Sequence, residues 1–75
     1  MNSQPKIIEI VSDVLAGVEV SSLTARQDTP AWNSLKHMEI VFAIEEEFEI
    51  QYSEEEMIAI ASVGDIADSI ARKQV

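Results

Sequence analysis

The sequence predicts an all-α protein, a four-helix bundle with three longer helices and one short third helix. Two observations predict it: apolar residues recur at three- and four-residue steps in four segments, and no segment alternates as a β-strand does. The chain has 75 residues, of which 47% are hydrophobic. That length predicts one domain, residues 1–75, near the size at which one core is only just sufficient.

The first helix is predicted over residues 4–17. Its apolar stripe repeats with helical spacing and consists of Ile7, Ile8, Val11, Val14 and Leu15. We expect Ser3 to cap the start, where Pro5 is compatible with the first turn, and Gly17 to end the helix.

A long loop between helices 1 and 2 is predicted over residues 18–33, a stretch that contains several Ser and Thr residues and Pro30. A loop of this length is unusual in so small a domain, so it has to be held by apolar anchors. We expect Val18, Val20, Leu23 and Trp32 to point inward.

The second helix begins after Asn33, a favoured N-cap residue, and runs to about residue 48. One face, expected to meet the core, carries Ile40, Val41, Ile44 and Phe48. A second apolar set lies among carboxylates and resembles a docking surface for a basic partner; the set and its acidic border are Leu35, Met38, Glu39, Phe42, Glu45, Glu46 and Glu49. The alternative is that a third helix covers Met38 and Phe42.

The third helix is predicted over Ser53–Ala61 and is short. Its first residues, Ser53 and Glu56, have the spacing of a capping box. We expect Gly64 to interrupt the chain before a last helix at 65–73. Asp65 near the start of that helix and Arg72-Lys73 near its end complement the helix dipole.

The charge distribution excludes some classes of partner. The net charge is −9, and between His37 and Ala71 there are ten Asp and Glu residues and no Lys or Arg. Such a field repels nucleic acid and anionic lipid and attracts basic protein surfaces.

Several kinds of site and location are also unsupported by the residues present. Cysteine is absent, so no disulfide or thiolate metal site is expected, and no acidic run has the spacing of a Ca²⁺-binding loop. No signal peptide or membrane-spanning stretch is evident. We therefore expect a soluble, cytoplasmic monomer.

Four motifs stand out along the chain: Asn33-Ser34-Leu35, the helix end Glu45-Glu46-Glu47-Phe48-Glu49-Ile50, the run Ser53-Glu54-Glu55-Glu56, and Ser62-Val63-Gly64-Asp65-Ile66. Together these motifs resemble the acyl carrier protein family. The first is similar to the family's Asp-Ser-Leu motif at the start of its second helix. The resemblance covers residues 28–72 closely and the first helix more loosely.

The resemblance implies that Ser34 carries 4′-phosphopantetheine, supplied by coenzyme A, whose thiol holds acyl intermediates as thioesters. The partners it implies are a phosphopantetheinyl transferase and acyl-loading and acyl-transferring enzymes with basic docking surfaces. The candidate partner-binding residues are Leu35, Met38, Glu39, Phe42, Glu45 and Glu46. A candidate acyl-chain pocket consists of Ile40, Ile44, Tyr52, Met57, Ile60 and Val63.

Departures from the family pattern surround Ser34. Asn33 keeps the capping oxygen of the usual aspartate but removes its charge, and Lys36 makes the helix start less acidic. His37 is interpreted as a solvated first-turn residue, with partner recognition as the alternative. Trp32 is more typical of specialised carriers and favours a specialised fatty-acid or polyketide-like pathway.

The residues show no catalytic arrangement, because no third group is placed to orient His37 toward Ser34. We therefore expect a carrier rather than an enzyme. A second hypothesis remains open: an acidic helical adaptor that binds basic proteins without a prosthetic group.

Overall fold

Four α-helices make up the protein in a computed structural model that describes residues 3–74. The helices are α1 (Gln4–Leu15), α2 (Ser34–Phe48), α3 (Glu54–Ala59) and α4 (Val63–Lys73). The all-α prediction with a short third helix is confirmed.

The core lies where α1 packs against both α2 and α4. Each of these three helices contributes one stripe of branched aliphatic side chains, and two residues of the connections complete the set: Ile7, Val11, Leu15, Trp32, Ile40, Val41, Ile44, Ile60, Val63, Ile66 and Ile70. Burial of each such side chain contributes roughly 1.5–3 kcal/mol. Helix α3 has no buried residue of its own.

The ends of α1 differ from the prediction. The helix stops at Leu15, because Ala16 and Gly17 both have positive φ, 41° and 92°. Gly17 therefore follows the helix end, as expected, but is not part of the helix. Ser3 occupies the N-cap position, but its side chain makes no capping hydrogen bond.

The connection between α1 and α2 contains a short 3₁₀ turn, Arg26–Asp28. Val18, Val20 and Trp32 pack against the core as expected. The prediction for Leu23 is wrong, since this side chain is 88% exposed. Leu23 lies in a local turn, in which its N–H donates to Ser21 Oγ at 3.1 Å.

This connection is tied to the junction between α3 and α4. The Arg26 N–H donates to the Ala61 carbonyl at 2.8 Å, and the Val63 N–H donates to the Thr24 carbonyl at 3.0 Å. Between them lies a bridge from Ala25 to Ser62, the only β-pairing within residues 3–74. The loop before α2 and the segment before α4 therefore form one unit.

Helix α2 has a polar cap at its start and a left-handed residue at its end. The Asn33 side chain accepts a hydrogen bond from the Lys36 N–H at 2.9 Å, which confirms the predicted N-cap. At the other end Glu49 has φ 54° and ψ 47°, and its N–H bonds back to the Glu45 carbonyl.

The predicted capping box of α3 is present: Glu56 N–H donates to Ser53 Oγ at 3.1 Å, and Ser53 N–H donates to the Glu56 carboxylate at 2.8 Å. The predicted start of α4 is wrong, because the helix begins at Val63 and includes Gly64. Ser62 caps it by accepting from the Asp65 N–H.

Candidate functional site

Ser34 is the first residue of α2 and is exposed. Asn33 fixes the backbone on one side of it by capping the helix. The hydroxyl oxygen of Ser34 accepts a hydrogen bond from Arg26 Nη2 at 3.3 Å. The hydroxyl thus lies on the surface, at the positive end of the helix dipole, where an anionic group is stabilised.

Arg26 is a neighbour of Ser34 that sequence reasoning missed. Its Nε donates to the Trp32 carbonyl at 3.3 Å while Nη2 reaches Ser34, so the guanidinium spans the last residues before α2. The available signal was that Arg26 is the only basic residue between Lys6 and Lys36. For a lone arginine in a polar loop, however, the sequence does not predict where the side chain points.

His37 is 5% exposed, so its interpretation as a solvated residue is wrong. Its Nδ1 accepts from Trp32 Nε1–H at 3.0 Å, and its Nε2 lies 2.8 Å from the Met57 carbonyl oxygen. Since a carbonyl only accepts, the ring proton is on Nε2. Neither ring nitrogen is directed at Ser34, so His37 is not placed to act as a general base for its hydroxyl.

Trp32 is 2% exposed and anchors the end of the long loop, the role expected from its large ring. The indole N–H of Trp32 donates a hydrogen bond to His37, a residue of α2. The loop before Ser34 is therefore fixed to the helix that carries Ser34.

The second apolar set on α2 is largely uncovered. Leu35 is 68% exposed and Phe42 is 56% exposed, while Met38 is partly buried. No third helix covers Phe42. Ile58 of α3 adds another exposed aliphatic side chain.

The carboxylates that border this set differ in their surroundings. Glu39 and Glu46 are exposed, and Glu39 pairs with Lys36 at 3.4 Å. Glu45 is partly buried and accepts the Tyr52 N–H at 2.8 Å, which fastens the segment after α2 to the helix. Glu45 therefore already has a structural role. Partner binding by this face stays a prediction.

The candidate acyl-chain residues are brought together in the interior. Ile40, Ile44, Ile60 and Val63 are buried members of the core, and Tyr52 and Met57 are partly buried and pack against that core. Ile60 also borders a cleft between α3 and α4, together with Ala59, Glu56, Asp65, Asp68, Ser69 and Arg72. Acyl-chain binding here stays a prediction, and it requires packed side chains to separate.

Two titratable groups near α3 have shifted pKa values. The backbone N–H of Ser53, and secondarily Lys73 at 2.9 Å, lower the pKa of Glu56 to about 2. Burial raises the pKa of Tyr52. Ser69 Oγ donates to the Ile66 carbonyl, so the Tyr52 hydroxyl is the donor to Ser69.

Comparison with known proteins identifies the family. The acyl carrier protein of Clostridium acetobutylicum is 33% identical over 67 residues, which cover 87% of this chain and 87% of that protein. This chain belongs to the acyl carrier protein family. The resemblance of its motifs to that family is thereby confirmed.

A solved structure agrees with this acyl carrier protein assignment. The solution NMR structure of the holo acyl carrier protein from Geobacter metallireducens superposes with a TM-score of 0.81 and 26% sequence identity. The match covers 99% of this chain and 87% of that one. No family model matches the chain.

Within residues 3–74, no helix is both long and apolar enough to cross a membrane. In the same part of the chain, no group of three or more His, Cys, Asp and Glu side chains is arranged to hold a metal ion.

Proposed function

We propose that this acyl carrier protein carries 4′-phosphopantetheine on Ser34 and presents acyl groups to partner enzymes. The observation that carries the proposal is the exposed Ser34 hydroxyl at the first residue of α2, within Asn33-Ser34-Leu35. When bound, the group supplies a flexible arm whose thiol holds the acyl group as a thioester.

The surroundings of Ser34 fit such a group. The hydroxyl is accessible, and the N-terminus of α2 and the Arg26 guanidinium both favour a phosphate beside it. In the attachment step Ser34 Oγ bonds to the phosphorus next to pantetheine, and the diphosphate bond of coenzyme A breaks. Adenosine 3′,5′-bisphosphate leaves with the electron pair, and the serine proton is lost to a base of the transferase.

This chain does not act as an enzyme in the proposal. Neither Arg26 nor His37 is suited to activating Ser34, because a guanidinium offers only donors and both ring nitrogens of His37 are bonded, to Trp32 and Met57. The transferase and the acyl-handling enzymes therefore supply the chemistry. The carrier raises the effective concentration of one intermediate at successive active sites.

Partner docking is proposed for the exposed face of α2. Leu35 and Phe42 offer apolar area, and Glu39 and Glu46 offer charges for a basic surface. The pathway proposed is a specialised fatty-acid or polyketide-like one. Trp32 in the position before Asn33-Ser34-Leu35 is what supports it.

The test is intact mass after incubation with coenzyme A and a broad-specificity phosphopantetheinyl transferase. We expect a gain of one phosphopantetheine group in the unaltered chain and none in Ser34→Ala. Modification that persists in Ser34→Ala contradicts the assignment of the site.

The variant Asn33→Asp completes the design, because it restores the family's usual residue without moving the serine. If the mass increases by one phosphopantetheine group only in Asn33→Asp, the natural chain needs a dedicated transferase. If no variant is modified while a standard carrier protein is, the adaptor hypothesis replaces this proposal.

A further inference from the structure

The guanidinium of Arg26 is held directly against the proposed attachment residue. Nη2 donates to Ser34 Oγ at 3.3 Å and Nε donates to the Trp32 carbonyl at 3.3 Å. The backbone of Arg26 is fixed as well, since its N–H donates to the Ala61 carbonyl at 2.8 Å. Three hydrogen bonds thus place a planar cation beside an exposed hydroxyl.

This cation is not neutralised by a neighbouring acid. Each of the three lysines forms an ion pair with a glutamate, whereas across residues 3–74 Arg26 forms none. Asn33, next to Ser34, adds no charge. In a chain of net charge −9, an unpaired guanidinium at one exposed point favours an anion there.

We propose that Arg26 binds the phosphodiester anion formed on Ser34 and thereby positions the root of the phosphopantetheine arm. The inference rests on the proposed function, because it requires that Ser34 is the modified residue. Once Ser34 Oγ is an ester oxygen, the charged oxygens are two bonds beyond the atom to which Nη2 already donates. The planar fork of arginine matches two phosphate oxygens, a geometry that lysine does not offer.

The binding has a consequence beyond the site. Arg26 is joined through its backbone to Ala61, between α3 and α4, and through its side chain to the start of α2. An anion held by Arg26 therefore stabilises the contact between these two regions. Modification of Ser34 should make the holo form more stable than the apo form.

The first test uses NMR of the side-chain Nε–H groups. The chain has two arginines, Arg26 and Arg72, so the spectrum contains its own control. On conversion from apo to holo, we expect the Arg26 Nε–H signal to shift and its exchange with water to slow, while Arg72 stays unchanged. If the Arg26 Nε–H exchanges with water at the same rate in the apo and holo forms, the proposal is overturned.

The same experiment on apo protein with free coenzyme A or inorganic phosphate separates an attached phosphodiester from a general anion site. We expect neither compound to reproduce the holo signal at concentrations equal to that of the protein. Full reproduction by phosphate overturns the proposal in its stated form.

The second test compares holo with apo stability in variants. We expect Arg26→Gln to reduce the holo-minus-apo difference in melting temperature by about 2–4 °C. Arg26→Lys should restore part of the difference, and Arg72→Gln should leave it unchanged. An equal difference in Arg26→Gln and the unaltered chain contradicts the proposal, since a purely structural arginine affects apo and holo alike.

Intact mass distinguishes the two possible failures. If the unaltered chain takes up no phosphopantetheine, the proposed function fails before Arg26 is tested. If it is modified on Ser34 and the Arg26 signal and the melting temperatures do not respond, only the role of Arg26 fails.

Discussion

At the scale of single residues, His37 joins three parts of the chain. It belongs to α2, accepts from the indole of Trp32 in the long loop, and donates to the Met57 carbonyl in α3. Both ring nitrogens are thus satisfied inside the protein. A buried group of this kind stabilises little in itself, but the loss of one partner leaves a costly unpaired atom.

The variant Trp32→Phe tests this arrangement. It keeps an aromatic ring in the core but removes the N–H that His37 Nδ1 accepts, leaving that nitrogen buried without a donor. We expect a loss of about 1–3 kcal/mol in the free energy of unfolding, measured by circular dichroism in urea.

The control for that loss is Phe42→Leu, which also alters an aromatic side chain but at an exposed position. It should change the free energy of unfolding by less than about 0.5 kcal/mol. Equal effects of the two substitutions would mean that the Trp32–His37 bond contributes nothing specific.

The sequence identifies residues whose partners are close along the chain. Asn33 and Ser53 are predictable caps because each accepts a backbone N–H three residues away. Ser34 is indicated by a local motif together with its neighbours. His37 and Arg26 are not predictable in this way, since their partners are set by how the loop, α2 and α3 meet.

At the scale of elements, α3 depends on polar contacts more than the other helices do. None of its own residues is buried, and it is held by the Ser53–Glu56 capping box, the Lys73–Glu56 ion pair and the bond from His37 to Met57. The boundaries of such a helix are hard to predict. Its predicted span, Ser53–Ala61, is shortened to Glu54–Ala59 because Ser53 is the cap and Ile60 is already extended.

Acid should loosen α3 through Glu56. The pKa of this carboxyl is lowered from 4.5 to about 2 in the folded protein, so its contribution is fully present above pH 4.5 and is lost as the pH falls toward 2. We expect the protection of the α3 amides, measured relative to the intrinsic exchange rate at each pH, to fall over that window, and Glu56→Gln to remove this dependence.

Glu55→Gln is the matched control, because Glu55 is also an exposed residue in the first turn of α3. It should leave the acid response in place. A response that is the same in Glu56→Gln and in the unaltered chain would show that another group loosens the helix.

A substitution of the buried residue Ile44 tests the proposed acyl-chain pocket. Ile44→Trp adds volume among buried side chains and should shorten the longest acyl chain that the holo protein shields. The measurement is the chemical shift of the Ile40 and Ile60 methyl groups as longer chains are loaded.

Overpacking of this kind costs about 1–3 kcal/mol, so the folded state of Ile44→Trp is checked first. Loading the unaltered chain with the same series of acyl groups gives a test that does not depend on the folding of this variant. If the methyl chemical shifts of the unaltered chain do not change with acyl-chain length, the acyl chain lies outside the core.

At the scale of the whole molecule, negative charge dominates the surface. The net charge is −9, and ten acidic residues without a base lie between His37 and Ala71. The composition alone predicts this field and the kind of partner that it attracts. It does not predict that Glu45 is committed to the Tyr52 N–H while Glu46 remains exposed, because that depends on where the chain turns after α2.

Charge reversal on α2 should slow encounter with a basic partner. Glu39→Lys and Glu46→Lys are each expected to lower the association rate constant for the transferase about three- to tenfold, with a smaller effect on dissociation. The effect should shrink at high salt, since screening shortens the range of the field.

Glu9→Lys is the control, an exposed glutamate on α1 with the same change of net charge. Stopped-flow measurements of the three variants separate a local face from a global charge effect. An equal slowing by Glu9→Lys would mean that total charge, not the α2 face, governs encounter.

Trp32 also gives the molecule a built-in optical probe. It is the single tryptophan, 2% exposed, with its N–H bonded to His37 and its carbonyl bonded to Arg26. Its fluorescence should emit at short wavelength in the folded state and shift to the red whenever the loop leaves α2. Detachment of this loop, which ends next to Ser34, should therefore be visible in real time without a label.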